Sequence, residues 1–345
     1  MTDAKLPGFV ERDVDLASRN TLALPGRAAY YAEIHSTSQL ATLAEVAGQL
    51  PPRRFVLGGG SNLLLTGDYD GLVLQMAIPG RELAGEDSEA WYVRVGAGEN
   101  WNEFVDWTLD QGWPGLENLA LIPGSVGAAP VQNIGAYGAE VRDCLHSLTL
   151  FDFETGSIRR FTSAECTFGY RDSVFKRQLK NRAVILDVTF ALPKRWQPNT
   201  GYSDVATELA ARGIATPTPR QLCDAIVAIR QRKLPDPARL GNAGSFFKNP
   251  VVSAAQKQAL AARFPQLVSY QQQDGSHKLA AGWLVDQAGW KGKVEGRAGV
   301  SETQALVLVN RGGANGKEIA QLAQAIAADV QAKFGVALEA EPLIL

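Results

Sequence analysis

The sequence contains few residues of the kinds that build disulfide frameworks, metal centres and histidine-dependent catalytic groups. Its three cysteines are odd in number, lie far apart and include no C-x-x-C pair. This spacing predicts reduced, mostly buried thiols rather than disulfides or a thiolate metal site. Its three histidines are isolated from one another. No metal site and no Ser-His-Asp triad is therefore predicted.

An excess of positive charge and long apolar runs are also lacking. The formal net charge is -2, so no broad positive field is available to hold nucleic acid or an anionic membrane. No apolar run reaches the roughly 18 residues of a membrane span, and the first ten residues lack the apolar core of a signal peptide. We expect a cytoplasmic protein that binds neither nucleic acid nor membrane, and we expect a monomer.

Three common motifs for nucleotide binding and hydrolysis are absent. No G-x-G-x-x-G follows a strand, and neither G-x-x-x-x-G-K-[ST] nor G-x-S-x-G occurs. A Rossmann nicotinamide site, a Walker-type ATPase and an α/β-hydrolase are therefore disfavoured. Any phosphate site must be built locally.

Periodicity in the 345 residues predicts three mixed helix and strand units, at 1–79, 80–230 and 231–345. The predicted strands are Arg53–Leu57, Leu72–Met76, Trp91–Ala97, Leu148–Phe153, Ser157–Phe161, Ala183–Leu192, Ala305–Asn310 and Val336–Leu343. The predicted helices are Ser38–Gln49, one capped by Asn100 and Glu103, one starting at Thr218-Pro219 and ending near Leu234, Ser253–Arg263, Lys278–Gln287 and Gly316–Phe334.

Two glycine-rich loops are the strongest candidates for ligand contact. The first is Gly58-Gly59-Gly60-Ser61-Asn62, where successive glycines can turn backbone amides toward an anion. The second, Ile122–Gly138 (IPGSVGAAPVQNIGAYG), is dominated by small residues over a length that favours backbone pressed against a flat ligand. An ordinary tight turn remains the alternative for the first loop.

Polar side chains are concentrated in three further segments. The loop Gly241–Pro250 (GNAGSFFKNP) places a serine, a lysine and two asparagines among glycines, and an asparagine-capped turn is its alternative reading. Tyr170–Ser173 (YRDS) supplies a guanidinium, and Leu338–Glu341 (LEAE) supplies two carboxylates. Either of the last two segments could instead be solvated charge.

Together with Arg232–Pro237 (RKLPDP), these motifs resemble the UDP-N-acetylenolpyruvoylglucosamine reductases, the MurB family. The resemblance covers nearly the whole chain in one order, and Tyr202 resembles the tyrosine of the type I branch. It implies an α+β fold in which an FAD-binding fold of the vanillyl-alcohol-oxidase type, in two subdomains, precedes a C-terminal α/β substrate-binding domain.

The resemblance also implies an activity in peptidoglycan precursor synthesis. NADPH as co-substrate would reduce non-covalently bound FAD, which would reduce UDP-N-acetylglucosamine enolpyruvate to UDP-N-acetylmuramate. Ser245 would supply the proton, assisted by neighbours such as Lys248. Glu341 would stabilise the enolic intermediate, and Arg171 would lie near the flavin and the developing charge.

Ligand contacts are implied residue by residue. FAD contacts fall on Gly58, Gly59, Gly60, Ser61, Asn62, Pro123, Gly124, Ser125, Gly127, Ile134 and Tyr137. Substrate contacts fall on Tyr202, Arg230, Lys233, Asn249 and Gln304, with Lys233 suited to a diphosphate.

One position departs from the family pattern. Family members usually carry an arginine two residues after the catalytic glutamate, where this sequence has Leu343. Recognition of the substrate carboxylate is therefore in question, and Glu339 remains an alternative to Glu341. Two other functions stay open: an FAD oxidase or dehydrogenase of the same fold, and a nucleotide-sugar binding protein without catalysis.

Overall fold

The computed structural model of the protein describes residues 6–345, which form two compact units. The first comprises the chain up to Val14, Ala28–Gly60 and Tyr69–Arg230. The second comprises Asp15–Arg27, Ser61–Asp68 and Gln231–Leu345. The second unit thus takes two short segments from early in the chain. The partition at residues 79 and 230 stays a prediction about folding domains.

Strands outnumber α-helices along the described part of the chain. The strands are β1 Val10–Asp15, β2 Arg27–Ile34, β3 Arg54–Leu57, β4 Leu63–Leu64, β5 Tyr69–Met76, β6 Arg81–Glu86, β7 Ala90–Gly96, β8 Gly135–Ala136, β9 Ala139–Glu140, β10 Leu145–Asp152, β11 Ser157–Thr162, β12 Ala183–Pro193, β13 Gly241–Ser245, β14 Val251–Val252, β15 Ser269–Gln271, β16 His277–Leu279, β17 Val294–Glu295, β18 Ala298–Val300, β19 Val307–Asn310 and β20 Leu343–Ile344. The α-helices are α1 Thr37–Glu45, α2 Trp101–Asp110, α3 Ser203–Ala211, α4 Pro219–Lys233, α5 Ala254–Arg263, α6 Ala281–Gln287 and α7 Gly316–Phe334.

Two sheets form the frame of the first unit. One has the order β1-β2-β5-β3, with β5 parallel to both β2 and β3, and α1 connects β2 to β3. Helix α1 buries Leu40 and Leu43 in a cluster that includes Ile34 and Leu74. The other sheet, β11-β10-β12-β7-β6, is antiparallel throughout. An aromatic group of Trp101, Phe104 and Phe190 joins α2 to this second sheet.

The second unit contains the antiparallel sheet β13-β19-β18-β17 and the three-stranded sheet β14-β16-β15. Its longest helix, α7, buries the apolar stripe predicted from the sequence: Ile319, Leu322, Ile326, Val330 and Phe334. Strand β20 pairs in parallel with β4, which ties the last residues of the chain to residues 63–64. This pairing orders the segment that carries the candidate glutamates.

Most of the predicted elements lie within a few residues of their observed bounds, and local capping signals mark the ends of two helices. At the start of α7, Asn315 and Glu318 form a reciprocal capping box, and the helix ends at Gly335 with a φ of 68°. The N-cap predicted for α2 is present, since the Asn100 side chain accepts a hydrogen bond from the Glu103 amide at 3.1 Å. The Glu103 carboxylate instead pairs with Arg81.

One predicted helix begins later than expected, and one predicted strand is wrong. Residues 277–279 form strand β16, so the helix predicted from Lys278 begins only at Ala281. The strand predicted over Val336–Leu343 is reduced to Leu343–Ile344, with one isolated bridge between Ala340 and Phe247. In both cases pairing with distant segments decides the backbone conformation, which local sequence pattern does not reveal. Within residues 6–345, no helix is both long and apolar enough to cross a membrane.

Candidate active site

In the first unit the two glycine-rich loops lie directly against each other. A Cβ added at Gly59 would come within 2.7 Å of the Gly124 Cα, and one at Gly58 within 2.6 Å of the Ser125 Oγ. Both distances are shorter than ordinary van der Waals contact, so only glycine fits without displacement. Gly58 and Gly59 therefore form one surface with the second glycine loop, and the binding of the cofactor there stays a prediction.

The second glycine loop is held at the end of β7 by backbone hydrogen bonds. The Gly127 amide donates to the Ala97 carbonyl at 2.9 Å, and the Trp101 amide donates to the Gly124 carbonyl at 3.1 Å. A Cβ at Gly127 would lie 2.5 Å from the Ala97 Cβ. Gly124 has a φ of 129°, a conformation that strongly favours glycine. The backbone of the second glycine loop is consequently held in place by its hydrogen bonds to the residues that follow β7.

Ser125 gives an independent indication that this surface binds a ligand. Its hydroxyl is buried, and within the described part of the chain it has no hydrogen-bond partner. Leaving a buried polar group unsatisfied costs about 1–3 kcal/mol, which a bound polar ligand would remove. The glycine cradle and this hydroxyl fit the predicted FAD, with Gly58, Gly59, Gly124 and Ser125 as the residues that would hold it.

The YRDS motif forms a tight turn that presents Arg171. The Gly169 amide donates to the Asp172 carbonyl at 2.9 Å, and Arg171 has a φ of 54°. One guanidinium nitrogen, Nη2, donates to the Gly135 carbonyl of the second glycine loop at 2.9 Å. Backbone strain of this kind at a non-glycine residue is typical of functional sites.

Two buried residues that the sequence analysis did not select attach this turn to the second glycine loop. Asn133, fully buried, donates from Nδ2 to the Glu140 carboxylate at 2.8 Å and to the Gly169 carbonyl at 3.0 Å. The Ser173 hydroxyl donates to the Val131 carbonyl at 2.6 Å. Their membership in the two motifs was the only signal available, because their partners are distant in sequence.

Tyr137, Tyr202 and Arg230 come together in the same unit. The two tyrosine rings meet edge to face, with centroids 5.4 Å apart. Burial lowers the pKa of Arg230 from its ordinary value, while a hydrogen bond with Tyr137 acts in the opposite direction. The Arg230 Nε is buried and has no hydrogen-bond partner among the described residues. A predicted FAD contact and two predicted substrate contacts are thus neighbours.

The remaining predicted cofactor residues belong to both units. Pro123 and Ile134 lie on the second glycine loop, where the Ile134 amide donates to the Ala129 carbonyl at 3.1 Å. Gly60, with a φ of 62°, is the last residue of its segment in the first unit. Ser61 and Asn62 belong to the second unit.

In the second unit, Ser245 ends strand β13 after a bulge. The register with β19 shifts between Asn242 and Ser245, and Gly244 has a φ of 68°. The side chain of Asn242 accepts a hydrogen bond from the Gly244 amide at 3.0 Å, which fixes the bulge. Bulges often re-aim a side chain beside an active site, and Ser245 immediately follows this one.

Glu341 pairs with Phe246, the residue that follows Ser245, in this unit. Its amide donates to the Phe246 carbonyl at 2.8 Å, and its carbonyl accepts from the Asn62 side chain at 3.4 Å. Two residues earlier, the exposed Glu339 carboxylate forms an ion pair with Lys248. Predicted catalytic residues therefore lie on adjacent backbone, with the predicted cofactor residue Asn62 next to them.

The second unit contains three predicted substrate residues, Lys233, Asn249 and Gln304. Each forms a hydrogen bond with a different residue. The carbonyl of Lys233 accepts a hydrogen bond from the Thr303 hydroxyl at 2.8 Å, beside Gln304. The side-chain oxygen of Gln304 accepts from the Leu306 amide at 3.3 Å. The side-chain oxygen of Asn249 accepts from the Ala281 amide at 2.9 Å.

A cavity of about 440 Å³ in this unit is bordered by neighbours of these residues rather than by the residues themselves. Its lining consists of Gln231, Arg232, Leu234, Pro235, Leu240, Val300, Ser301, Glu302, Thr303, Val309 and Arg311. None of the residues predicted to bind substrate lines it. In the described chain, no group of His, Cys, Asp and Glu side chains is arranged to hold a metal ion.

The class of protein follows from the loops and from comparison with family models. Residues 28–162 match the FAD binding domain family, and residues 236–345 match the family "UDP-N-acetylenolpyruvoylglucosamine reductase, C-terminal domain". The chain is a flavoenzyme, an oxidoreductase that binds FAD. Its fold class is the predicted mixed one, with an FAD-binding domain followed by a C-terminal domain.

Individual relatives identify the family. UDP-N-acetylenolpyruvoylglucosamine reductases from Dechloromonas aromatica and Paraburkholderia phymatum are each 57% identical over 96% of this chain and cover 98% and 97% of their own lengths. The crystal structure of the reductase from Thermus caldophilus superimposes with a TM-score of 0.68 at 25% identity, covering 97% of this chain and 98% of that one. The chain belongs to the UDP-N-acetylenolpyruvoylglucosamine reductase family, whose members act in cell-wall synthesis. The roles of individual site residues stay predictions.

Proposed function

We propose that the enzyme reduces UDP-N-acetylglucosamine enolpyruvate to UDP-N-acetylmuramate at the expense of NADPH. The relatives named above carry this sugar nucleotide in their names, and they match along nearly the whole chain. When bound, FAD would supply hydride transfer, relaying a hydride from NADPH to the enolpyruvyl double bond. One hydride and one proton then saturate the carbon–carbon double bond.

The observation that carries the proposal is the placement of Ser245. It follows a bulge fixed by Asn242, and the next residue, Phe246, hydrogen-bonds to the amide of Glu341. Hydride addition leaves carbanion character beside the substrate carboxylate, and a fixed hydroxyl can quench it by giving a proton to that carbon. We assign Ser245 as this proton donor.

The ion pair between Lys248 and Glu339 supports the choice of Glu341 over Glu339. The Glu339 carboxylate is mostly exposed and already neutralised by Lys248. The backbone of Glu341 instead hydrogen-bonds to Phe246, the residue after Ser245, and to the Asn62 side chain. Glu341 would then stabilise the enolic intermediate. The lysine that could have assisted Ser245 is engaged by Glu339, so its influence on the serine would be indirect.

Three basic residues are candidates to supply positive charge to the anionic ligands. Lys233, at the end of α4, can neutralise a diphosphate as a flexible point charge. In the first unit, burial lowers the pKa of Arg230, so an anionic ligand would gain from a poorly solvated guanidinium. Arg171 would supply charge near the flavin.

The test is the variant Ser245→Ala, with the two half-reactions measured separately by stopped-flow absorbance of the flavin. Reduction by NADPH needs no substrate proton and should proceed within about twofold of wild type, while reoxidation by the enolpyruvyl sugar nucleotide should slow by roughly 10²–10⁴-fold. Ser245→Cys should retain more reoxidation than Ser245→Ala.

Normal reduction of the variant also serves as the control that the fold and the FAD site survive. A fall in reoxidation of less than about threefold would show that water or another side chain delivers the proton. If oxidised enzyme is not reduced by NADPH, or reduced wild type is not reoxidised by the sugar nucleotide, the reaction itself is wrongly proposed.

A further inference from the structure

Asn118 is a buried residue just before the second glycine loop, and only 3% of its surface is exposed. Its side-chain nitrogen, Nδ2, donates two hydrogen bonds, each of 2.9 Å, one to the Tyr137 carbonyl and one to the Asn199 carbonyl. A single amide group therefore uses both of its hydrogens to connect the loop predicted to contact FAD with the segment that leads to Tyr202.

A further hydrogen bond joins the same two segments, now with Asn199 as the donor. The side chain of Asn199 donates to the Gly138 carbonyl at 3.0 Å. The neighbour of Asn118, Glu117, is also buried, and its carboxylate accepts hydrogen bonds from the Trp196 indole and from the Gly115 amide. Adjacent residues of one short 3-10 helix thus hold both ends of the segment 196–199.

The segment 196–199 is followed within three residues by Tyr202, which precedes helix α3. The Tyr202 ring contacts the ring of Tyr137, whose φ of 48° is unusual for a residue other than glycine. Residues held in this left-handed conformation persist only where the surroundings fix them, and Asn118 bonds the carbonyl of Tyr137 directly.

We infer that Asn118 is a positioning residue for Tyr202, and through it for recognition of the sugar nucleotide. The inference rests on the proposed function, in which Tyr202 contacts the substrate. The amide of Asn118 fixes the chain on both sides of the Tyr137–Tyr202 contact, so the tyrosine is held in place before the substrate binds. Preorganisation of this kind raises affinity by lowering the ordering cost of binding.

The test is Asn118→Asp, which keeps the shape of the side chain but replaces two donors with an acceptor facing two carbonyl oxygens. We expect KM for the enolpyruvyl sugar nucleotide to rise at least about tenfold, with kcat within about threefold of wild type. Amide hydrogen exchange measured by mass spectrometry should accelerate in residues 196–202, in the absence of substrate.

A matched control is Asn20→Asp. Asn20 is 6% exposed, and its Nδ2 donates to the Leu16 and Leu24 carbonyls at 2.8 and 3.0 Å, so the substitution removes equivalent bonds elsewhere. This variant should lose stability without a change in KM. A second variant, Trp196→Phe, keeps an aromatic side chain but removes the indole donor. It should raise KM in the same direction if Asn118→Asp folds poorly.

A double-mutant cycle with Tyr202→Ala decides whether Asn118 acts through the tyrosine. The increases in KM should be strongly non-additive, because Asn118→Asp has nothing left to misplace once Tyr202 is removed. Independent, multiplying effects, or an unchanged KM in Asn118→Asp, would overturn the inference. Failure of the wild-type enzyme to be reoxidised by the sugar nucleotide would instead overturn the proposed function, a result that the hydrogen-exchange measurement does not depend on.

Discussion

The contact between the two glycine loops makes Gly59→Ala the most direct perturbation of the FAD site. The added Cβ would lie 2.7 Å from the Gly124 Cα and 3.2 Å from its carbonyl carbon. Ordinary contact begins near 3.4 Å, so the loops must separate by at least about 0.7 Å (3.4 − 2.7). No rotamer change can relieve the clash, because the opposing atoms are backbone.

The size of the effect follows from this geometry. Forcing an extra carbon into a packed site typically costs about 1–3 kcal/mol, which corresponds to a roughly 5- to 150-fold loss of affinity if it falls on FAD binding. The matched control is Gly85→Ala in the same unit, where an added Cβ meets no atom within 4 Å. Gly85→Ala should bind FAD as wild type does.

The assay is titration of flavin-depleted protein with FAD, followed by the absorbance of bound flavin. Heat-denatured wild type should first release all of its flavin into the supernatant, since we predict that binding is non-covalent. Circular dichroism of each apoprotein separates loss of fold from loss of binding. A Gly59→Ala variant that folds and binds FAD with wild-type affinity would refute the assignment of this surface to the cofactor.

Three further predictions concern stability, thiol chemistry and substrate affinity. Hydrogen bonds from Arg182 hold the pKa of the buried Asp152 at about 2, so Asp152→Asn should lose about 1.5–3 kcal/mol in urea unfolding at neutral pH. Because the folded-state pKa is depressed, this difference should be complete above about pH 5 and shrink as the pH falls toward 2; a difference that keeps its neutral-pH size at about pH 2 would contradict it. Burial raises the pKa of all three cysteine thiols to about 12, so Ellman's reagent at pH 8 should label native protein roughly a hundredfold or more slower than denatured protein. Leu343→Arg, compared with Leu343→Met, should lower KM for the enolpyruvyl substrate about tenfold if the missing arginine weakens carboxylate recognition, whereas an unchanged KM would show that another cation serves that carboxylate.

Elements with complete local signals could be predicted from the sequence, and elements that depend on distant partners could not. Helix α7 begins and ends where its capping box and its terminal glycine indicate, because all of these signals lie within the helix or next to it. The predicted strand Val336–Leu343 has a strand-like pattern, but Ala340 pairs with Phe247 and Leu343 pairs with Leu63, both of which lie far back in the sequence. Pattern alone could not show that each pairing would be so short.

The candidate site divides in the same way. Glycines and charged residues in the motifs could be selected as site candidates from their residue type alone. Gly59 is an example, because only glycine allows its close approach to the Gly124 backbone. Asn118, Asn133 and Ser173 could not be selected from the sequence. Their role depends on the backbone carbonyls to which their side chains donate hydrogen bonds. For Asn118 and Asn133 those carbonyls lie up to 81 and 36 residues away.

The composition of the second unit limits how the chain can be dissected. Asn310 donates to the Leu22 carbonyl at 2.9 Å, the Asn242 amide donates to the Thr21 carbonyl at 2.9 Å, and β20 pairs with β4. A fragment cut at Gln231 would leave these donors without acceptors and would expose an unpaired strand edge, a known route to aggregation. Excising the C-terminal region for separate expression would therefore require residues 15–27 and 61–68 to be grafted back, and a cut chosen from sequence families alone would miss them.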